Sequence, residues 1–380
     1  MKHQLYSMLY LCFLATLVGV VSCQQKETIS IQDQIRQSTD KGLKDWGKFP
    51  VGGAVNISDV LKDPKLQAIT EKNFNSITAT NDMKMYGIIP TEGVYYWDKV
   101  DTLVSFCEKN NQRLFGHALI WHHGAPQWIK DQTAENGAEW MDSFMKEYIQ
   151  TVVGRYKGKV AAWDVVNEAF ASEGGAYRET LWYNNLGKKY IANAFRYAHE
   201  ADPEADLFYN DFNIERDAEK LDGVISMITE LKAQNVPITG LGFQMHIRID
   251  TPEELIENSL KKAAETGLKI HISELDIIFN KHNDTEGGGE QSITELTEEL
   301  KQLQAEKYQR IVKIYRKVVP AAQQFGITFW DFTDRDTWIR PFFNLTDWPT
   351  VFDEELEPKP AYYSFAEGLV LPLDELEVSQ

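Results

Sequence analysis

Two glutamates stand out because each follows directly on a hydrophobic, β-rich run. Glu168 lies in Trp163-Asp164-Val165-Val166-Asn167-Glu168-Ala169-Phe170, and Glu274 in Ile270-His271-Ile272-Ser273-Glu274-Leu275-Asp276. One Glu after a buried strand would ordinarily just begin a solvated loop. Two at matching depth on different strands can face each other across a pocket, and paired carboxylates are the machinery of glycosidic bond cleavage. One carboxyl must keep a proton for the leaving oxygen, and the other must be ionised to attack the anomeric carbon. Their surroundings must therefore hold the two pKa values apart. A strand period of two puts Ile270, Ile272, Glu274 and Asp276 on one face. That makes Asp276 a support for Glu274 and turns His271 to the opposite face, as a core histidine.

Such residues need a scaffold that ends several strands at one place. Eight short β-rich runs supply the strand candidates: Val51–Val55, Ser76–Ala79, Leu114–Ala118, Val160–Val166, Leu207–Asn210, Ile238–Phe243, Lys269–Leu275 and Ile327–Phe332. Helical patterns separate most of them. Trp140–Tyr156 repeats apolar residues at Phe144, Tyr148, Val152 and Tyr156, and Lys189–His199 and Ala218–Ala233 behave similarly. Pro252–Ala264 has its proline at the helix start and Gly267 beyond its end. Strand then helix, eight times, predicts an α/β fold with a single (β/α)8 barrel over residues 41–375, whose catalytic groups gather where strands end. A doubly wound sheet shows the same alternation, but neither GxGxxG nor GxxxxGK[ST] follows any strand, which argues against nucleotide binding. The stretch Lys281–Glu306 is acidic, with three consecutive glycines before a long helix, and reads as a solvated loop without a role.

The formal net charge of −18 argues against nucleic acid or an anionic membrane surface as a partner and fits an uncharged polymer. Residues 1–22 read as a secretory signal, with a basic start and an apolar run too short to span a bilayer. The run ends in Val20-Val21-Ser22-Cys23, which resembles a bacterial lipobox with Cys23 as the lipidated residue. The expected product is exported and anchored by lipid to a bacterial membrane, the outer membrane being the favoured site, on its surface or periplasmic side. Residues 23–40 then form the lipidated cysteine and a polar tether. Cys107 is left as a buried thiol, so no disulfide framework is expected. His117, His122 and His123 lack the spacing and the acidic partner of a metal site, so no metal is expected.

The segment Gly267-Leu-Lys-Ile-His-Ile-Ser-Glu274-Leu-Asp-Ile277 resembles the nucleophile motif of glycoside hydrolase family 10, whose dominant activity is endo-β-1,4-xylanase. Asp164-Val-Val-Asn167-Glu168-Ala169 is similar to that family's acid/base motif. The resemblance extends from Phe49-Pro50-Val51-Gly52 to Pro358-Lys359-Pro360-Ala361-Tyr362. It implies retaining hydrolysis of xylan and xylo-oligosaccharides, with Glu274 as nucleophile and Glu168 as acid/base; no cofactor is expected, and a monomer is the expected state. It also implies a sugar site. Asn81 and Lys84 hold the non-reducing-side sugar, His117, Trp121 and His122 surround the sugar at the cleavage point, and Asn167 holds its 2-hydroxyl. Gln244 and His246 flank the carboxylates, with His246 bridging Glu274 and Asp276, while Trp330 and Trp338 form platforms for pyranose faces. Trp97, Trp128, Trp163 and Trp182 are assigned to packing.

Four departures from the family pattern bear on the neighbouring sugar. Thr80 stands where the family usually has Glu, Met85 where it has Trp, and Phe212 where it commonly has Tyr. Its late Trp-Arg pair is split as Trp338-Ile339-Arg340, before a rearranged Pro341–Pro349 loop. Two other readings remain. One is a mannanase or cellulase of similar architecture, and the other a non-catalytic glycan-binding lipoprotein, which the presence of both Glu168 and Glu274 disfavours.

Overall fold

The computed structural model describes residues 29–283 and 287–373. Each of the eight runs forms one strand of a closed barrel: β1 (Val51–Val55), β2 (Ser76–Ala79), β3 (Arg113–Gly116), β4 (Val160–Asn167), β5 (Asp206–Asp211), β6 (Gly240–Phe243), β7 (Lys269–Ile278) and β8 (Gln324–Phe329). Neighbours pair in parallel all the way round, and β8 closes on β1 through Val51↔Ile327. Helices pack outside, and the main apolar core lies between them and the sheet, from Ile77 and Val152 to Leu260 and Ile311. A smaller cluster of Phe115, Ala162, Phe208 and Phe325 fills the barrel axis.

Two strands carry an extra residue just before their carboxyl ends. Along β7, Ile272 pairs with Ile327 and Leu275 with Phe329, so three steps on β7 match two on β8. Along β4, Asp164 pairs with Phe208 and Val166 with Tyr209, so two steps match one. Such bulges break the period of two and re-aim the side chains that follow. This corrects the expected facing of β7. Ile270 and Ile272 point outward into the helix-side core, whereas Glu274 and Asp276 point into the barrel mouth. His271 is in the core, but it lies on the barrel axis, below Glu274 rather than opposite it. Its ring sits 4.8 Å from Phe115, and Nε2 lies 2.9 Å from Thr328 Oγ1.

The expected tether also needs correction over part of its length. Ile31–Gln37 is a helix, capped by Ser30, whose Oγ accepts the Asp33 N–H at 3.0 Å. It buries Ile35 and packs on the C-terminal helix Pro360–Val370, with the Arg36 guanidinium 4.1 Å from the Tyr363 ring centre. Residues 1–28, including Cys23, lie outside the described residues. The helix expected at Trp140–Tyr156 is the second half of a longer one, Gln127–Arg155, kinked at Gly137. The acidic segment folds back as a short hairpin, Lys281–His282 against Gly289–Glu290, before the helix Glu298–Val318.

Candidate active site

The carboxyl ends of the strands open into a cleft of about 770 Å³. Four residues beyond those ends hold left-handed backbones although none is glycine: Glu168 (φ 58°), Asn213 (φ 62°), Met245 (φ 61°) and Asp331 (φ 49°). Such conformations cost about 1–3 kcal/mol each and persist where the surrounding structure enforces them, often at functional sites. Glu168 is fixed by its own N–H donating to Asn210 O at 2.9 Å.

A run of carboxamides joins the two glutamates. Asn210 Nδ2 donates to Glu274 Oε1 at 2.7 Å and to Asn167 Oδ1 at 3.1 Å. Gln244 Nε2 donates to Asn167 Oδ1 at 3.2 Å and to Glu168 Oε1 at 3.0 Å, and Asn167 Nδ2 also reaches Glu168 Oε1 at 3.2 Å. Both carboxylates are therefore held on the wall of one cleft by neutral donors. Sequence reasoning missed Asn210. The available signal was its place opposite Asn167, at the end of the adjacent strand.

Charge is distributed unevenly around the pair. His246 lies between Glu274 (Nε2 to Oε2, 3.4 Å) and Asp276 (Nδ1 to Oδ2, 2.9 Å). Burial opposes a charge on His246, but the Asp276 and Glu274 carboxylates outweigh it and lift its pKa to about 10. Burial likewise works against ionised Glu274, yet His117, His246 and Lys84 draw its pKa below the usual carboxylate value. Glu274 is thus kept ionised. Around Glu168, burial pushes upward, while protonated His122, Gln244, Trp121 and Arg178 pull it down to about 2. His122, 3.5 Å from Glu168 Oε2, is itself pushed down to about 4, chiefly by burial. Above that pH His122 is neutral, and the largest downward pull on Glu168 is gone.

The other expected residues also reach the cleft: Asn81, Lys84, His117, Trp121, His122, Trp330 and Trp338 all line it. His117 Nδ1 is 2.8 Å from the Asp164 carboxylate, and a cis peptide joins His117 to Ala118. Lys84 Nζ sits 4.7 Å from the Trp121 ring centre and 5.3 Å from that of Trp330. Trp338 Nε1 donates to Asp276 Oδ2 at 2.8 Å, which locks its ring beside His246. No group of three or more His, Cys, Asp or Glu is placed to hold a metal among the described residues.

Three of the four departures have a visible local setting. Thr80 lines the cleft, but its hydroxyl turns to Val55 O at 3.4 Å. Arg340 faces away, with Nη2 bound to Asp347 O at 3.1 Å and Glu354 Oε1 at 2.5 Å. Phe212 lies under Lys220 Nζ, 3.9 Å from its ring centre. Asp331 was not anticipated. It lines the cleft half-buried, and burial raises its carboxyl to about 7.

Comparison with known proteins agrees with this geometry. The pattern of glycosyl hydrolase family 10 matches residues 40–368. The endo-1,4-beta-xylanase A of Caldicellulosiruptor sp. (strain Rt8B.4) is 38% identical over 336 residues, covering 85% of this chain and 47% of that protein. The endo-1,4-beta-xylanase A of Cellvibrio japonicus is 36% identical over 356 residues, covering 87% and 57%. The chain thus spans about half the length of these curated relatives. A mutant of xylanase 10C from Cellvibrio japonicus, solved in complex with xylopentaose, superposes with a TM-score of 0.81 at 34% identity, covering 87% of this chain and 69% of that one. The chain belongs to glycosyl hydrolase family 10.

Proposed function

We propose that this chain cleaves internal β-1,4-xylosidic bonds of xylan and xylo-oligosaccharides with retention of configuration. The observation that carries the reading is the Glu274–Asn210–Asn167–Gln244–Glu168 network, which holds two carboxyls of unlike surroundings on one cleft wall. Relatives named as xylanases, and a similar structure holding xylopentaose, support xylan as the substrate.

In the first step ionised Glu274 attacks the anomeric carbon, and the bond to the leaving sugar breaks as the Glu168 proton passes to its oxygen. Glu168, now a carboxylate, next takes a proton from water. That water's oxygen bonds to the anomeric carbon and frees Glu274. Burial pushes Glu168 toward its acid form, and when His122 is uncharged only Gln244, Trp121 and Arg178 oppose it. Asn167 and Gln244 lie where they can follow the developing charge and the 2-hydroxyl. Two inversions retain the β configuration, so proton NMR of the earliest products from soluble xylan should show the β anomer first. A first-formed α anomer would refute Glu274 as nucleophile, and equal turnover of mannan or cellulose would refute the xylan assignment.

Export and lipid anchoring at Cys23 complete the reading, on the strength of Val20-Val21-Ser22-Cys23. Cys23→Ser should move the protein from the membrane fraction into the soluble exported fraction. A variant still membrane-bound would defeat the anchor.

A further inference from the structure

The side of the cleft that the xylanase reading assigns to the non-reducing sugars lies at the ends of three adjacent strands, β8, β1 and β2, which pair side by side. At the end of β2 the cleft residue is Thr80, a neutral side chain whose hydroxyl is turned to Val55 O. Asn81 Oδ1 is already approached by Tyr86 Oη at 2.6 Å and Lys84 Nζ at 3.4 Å. This stretch of wall is therefore rich in donors and poor in free acceptors. A pyranose presents adjacent hydroxyls, each of which must donate somewhere once water is excluded.

The missing acceptor stands two strands away. Asp331 follows β8 directly, with a left-handed backbone that an aspartate tolerates better than most residues but seldom adopts without cause. Its Oδ2 accepts the Trp338 N–H at 3.1 Å, which ties the carboxyl to the residue above Asp276. It lies close enough to Lys84 to favour the ammonium charge, alongside Glu274 and Glu168. The other acids on this wall are committed or exposed to water. Asp336 is held by Arg335 and Thr333, and Asp59 is an exposed residue. The glycosyl-transfer steps described above make no use of Asp331.

We propose that Asp331 is a sugar-binding carboxyl. It accepts hydroxyl hydrogen bonds from the xylose on the non-reducing side of the one being cleaved, while Lys84 and Asn81 serve the opposite edge of that ring. The assignment rests on the xylanase reading. It makes β8 rather than β2 the source of the acid in this subsite.

The test compares 4-nitrophenyl β-xylobioside, which fills the subsite, with 4-nitrophenyl β-xyloside, which leaves it empty. Asp331→Asn keeps the shape and tolerates the backbone, and Asp331→Gly removes the side chain together with its strain. A hydrogen bond to a charged group is strong enough that, assayed above pH 7 where the Asp331 carboxyl is ionised, both variants should lower the ratio of kcat/KM for xylobioside over xyloside by about tenfold or more. An unchanged ratio against an active wild type would overturn the inference alone. A wild type that turns over neither these glycosides nor soluble xylan would overturn the xylanase reading, and the inference with it.

Discussion

Behind Glu168 lies a charge pair with no access to water. Lys220 Nζ, fully buried, is 2.8 Å from Asp211 Oδ1, and Asp211 Oδ2 accepts the Tyr209 hydroxyl. That hydroxyl in turn accepts the Ala169 N–H at 3.0 Å, one residue past the strained Glu168. Replacing one partner of a buried pair leaves the other charge uncompensated, at a cost of about 3–5 kcal/mol. Lys220→Met should therefore lose that much unfolding free energy in a denaturant titration at neutral pH. The sign with pH follows from Asp211, whose pKa burial already raises above its unfolded value. Losing Lys220 raises it further, so the penalty is full above the folded pKa and fades as acid protonates the carboxyl. A deficit that grew toward acid would contradict this account. Lys220→Met combined with Asp211→Asn should recover much of the loss.

At the scale of single elements, the two bulges decide where the chemistry points. Val165 is the extra residue on β4, and without it the regular pleat would carry Asn167 to the opposite face. Deleting Val165 should cut activity more than about a thousandfold, because Asn167 and Glu168, the proposed acid/base, both lose their aim. Activity assays beside a circular-dichroism spectrum would check it, and a folded, active deletion would show that aim is set elsewhere. The bulges also mark where the sequence stops being legible. The β-rich runs and the glutamates at their ends gave away the strands, because burial selects residue type. A bulge leaves no such mark: Ile270, His271 and Ile272 alternate as any strand would, so a strict period of two misplaces Ile270, Ile272 and His271 relative to Glu274. Asp331 was hidden for a related reason, since nothing in its neighbours announces a left-handed backbone. The helix Ile31–Gln37 was readable and missed. Ser30 with Asp33 is a capping signature, and Ile31 and Ile35 share one face.

For the whole molecule, the helix Ile31–Gln37 docks on Pro360–Val370, which joins the first and last described helices on the outside of the barrel. Its consequence is one of reach. If Cys23 holds a lipid, only residues 24–30 remain between the bilayer and folded protein. Seven residues extend at most about 25 Å even when drawn straight. On so short a leash, an anchored protein would patrol a thin shell above the membrane rather than explore the medium. Substrate would then have to come to it, which would favour soluble oligosaccharides that diffuse to the surface over rigid polymer held at a distance.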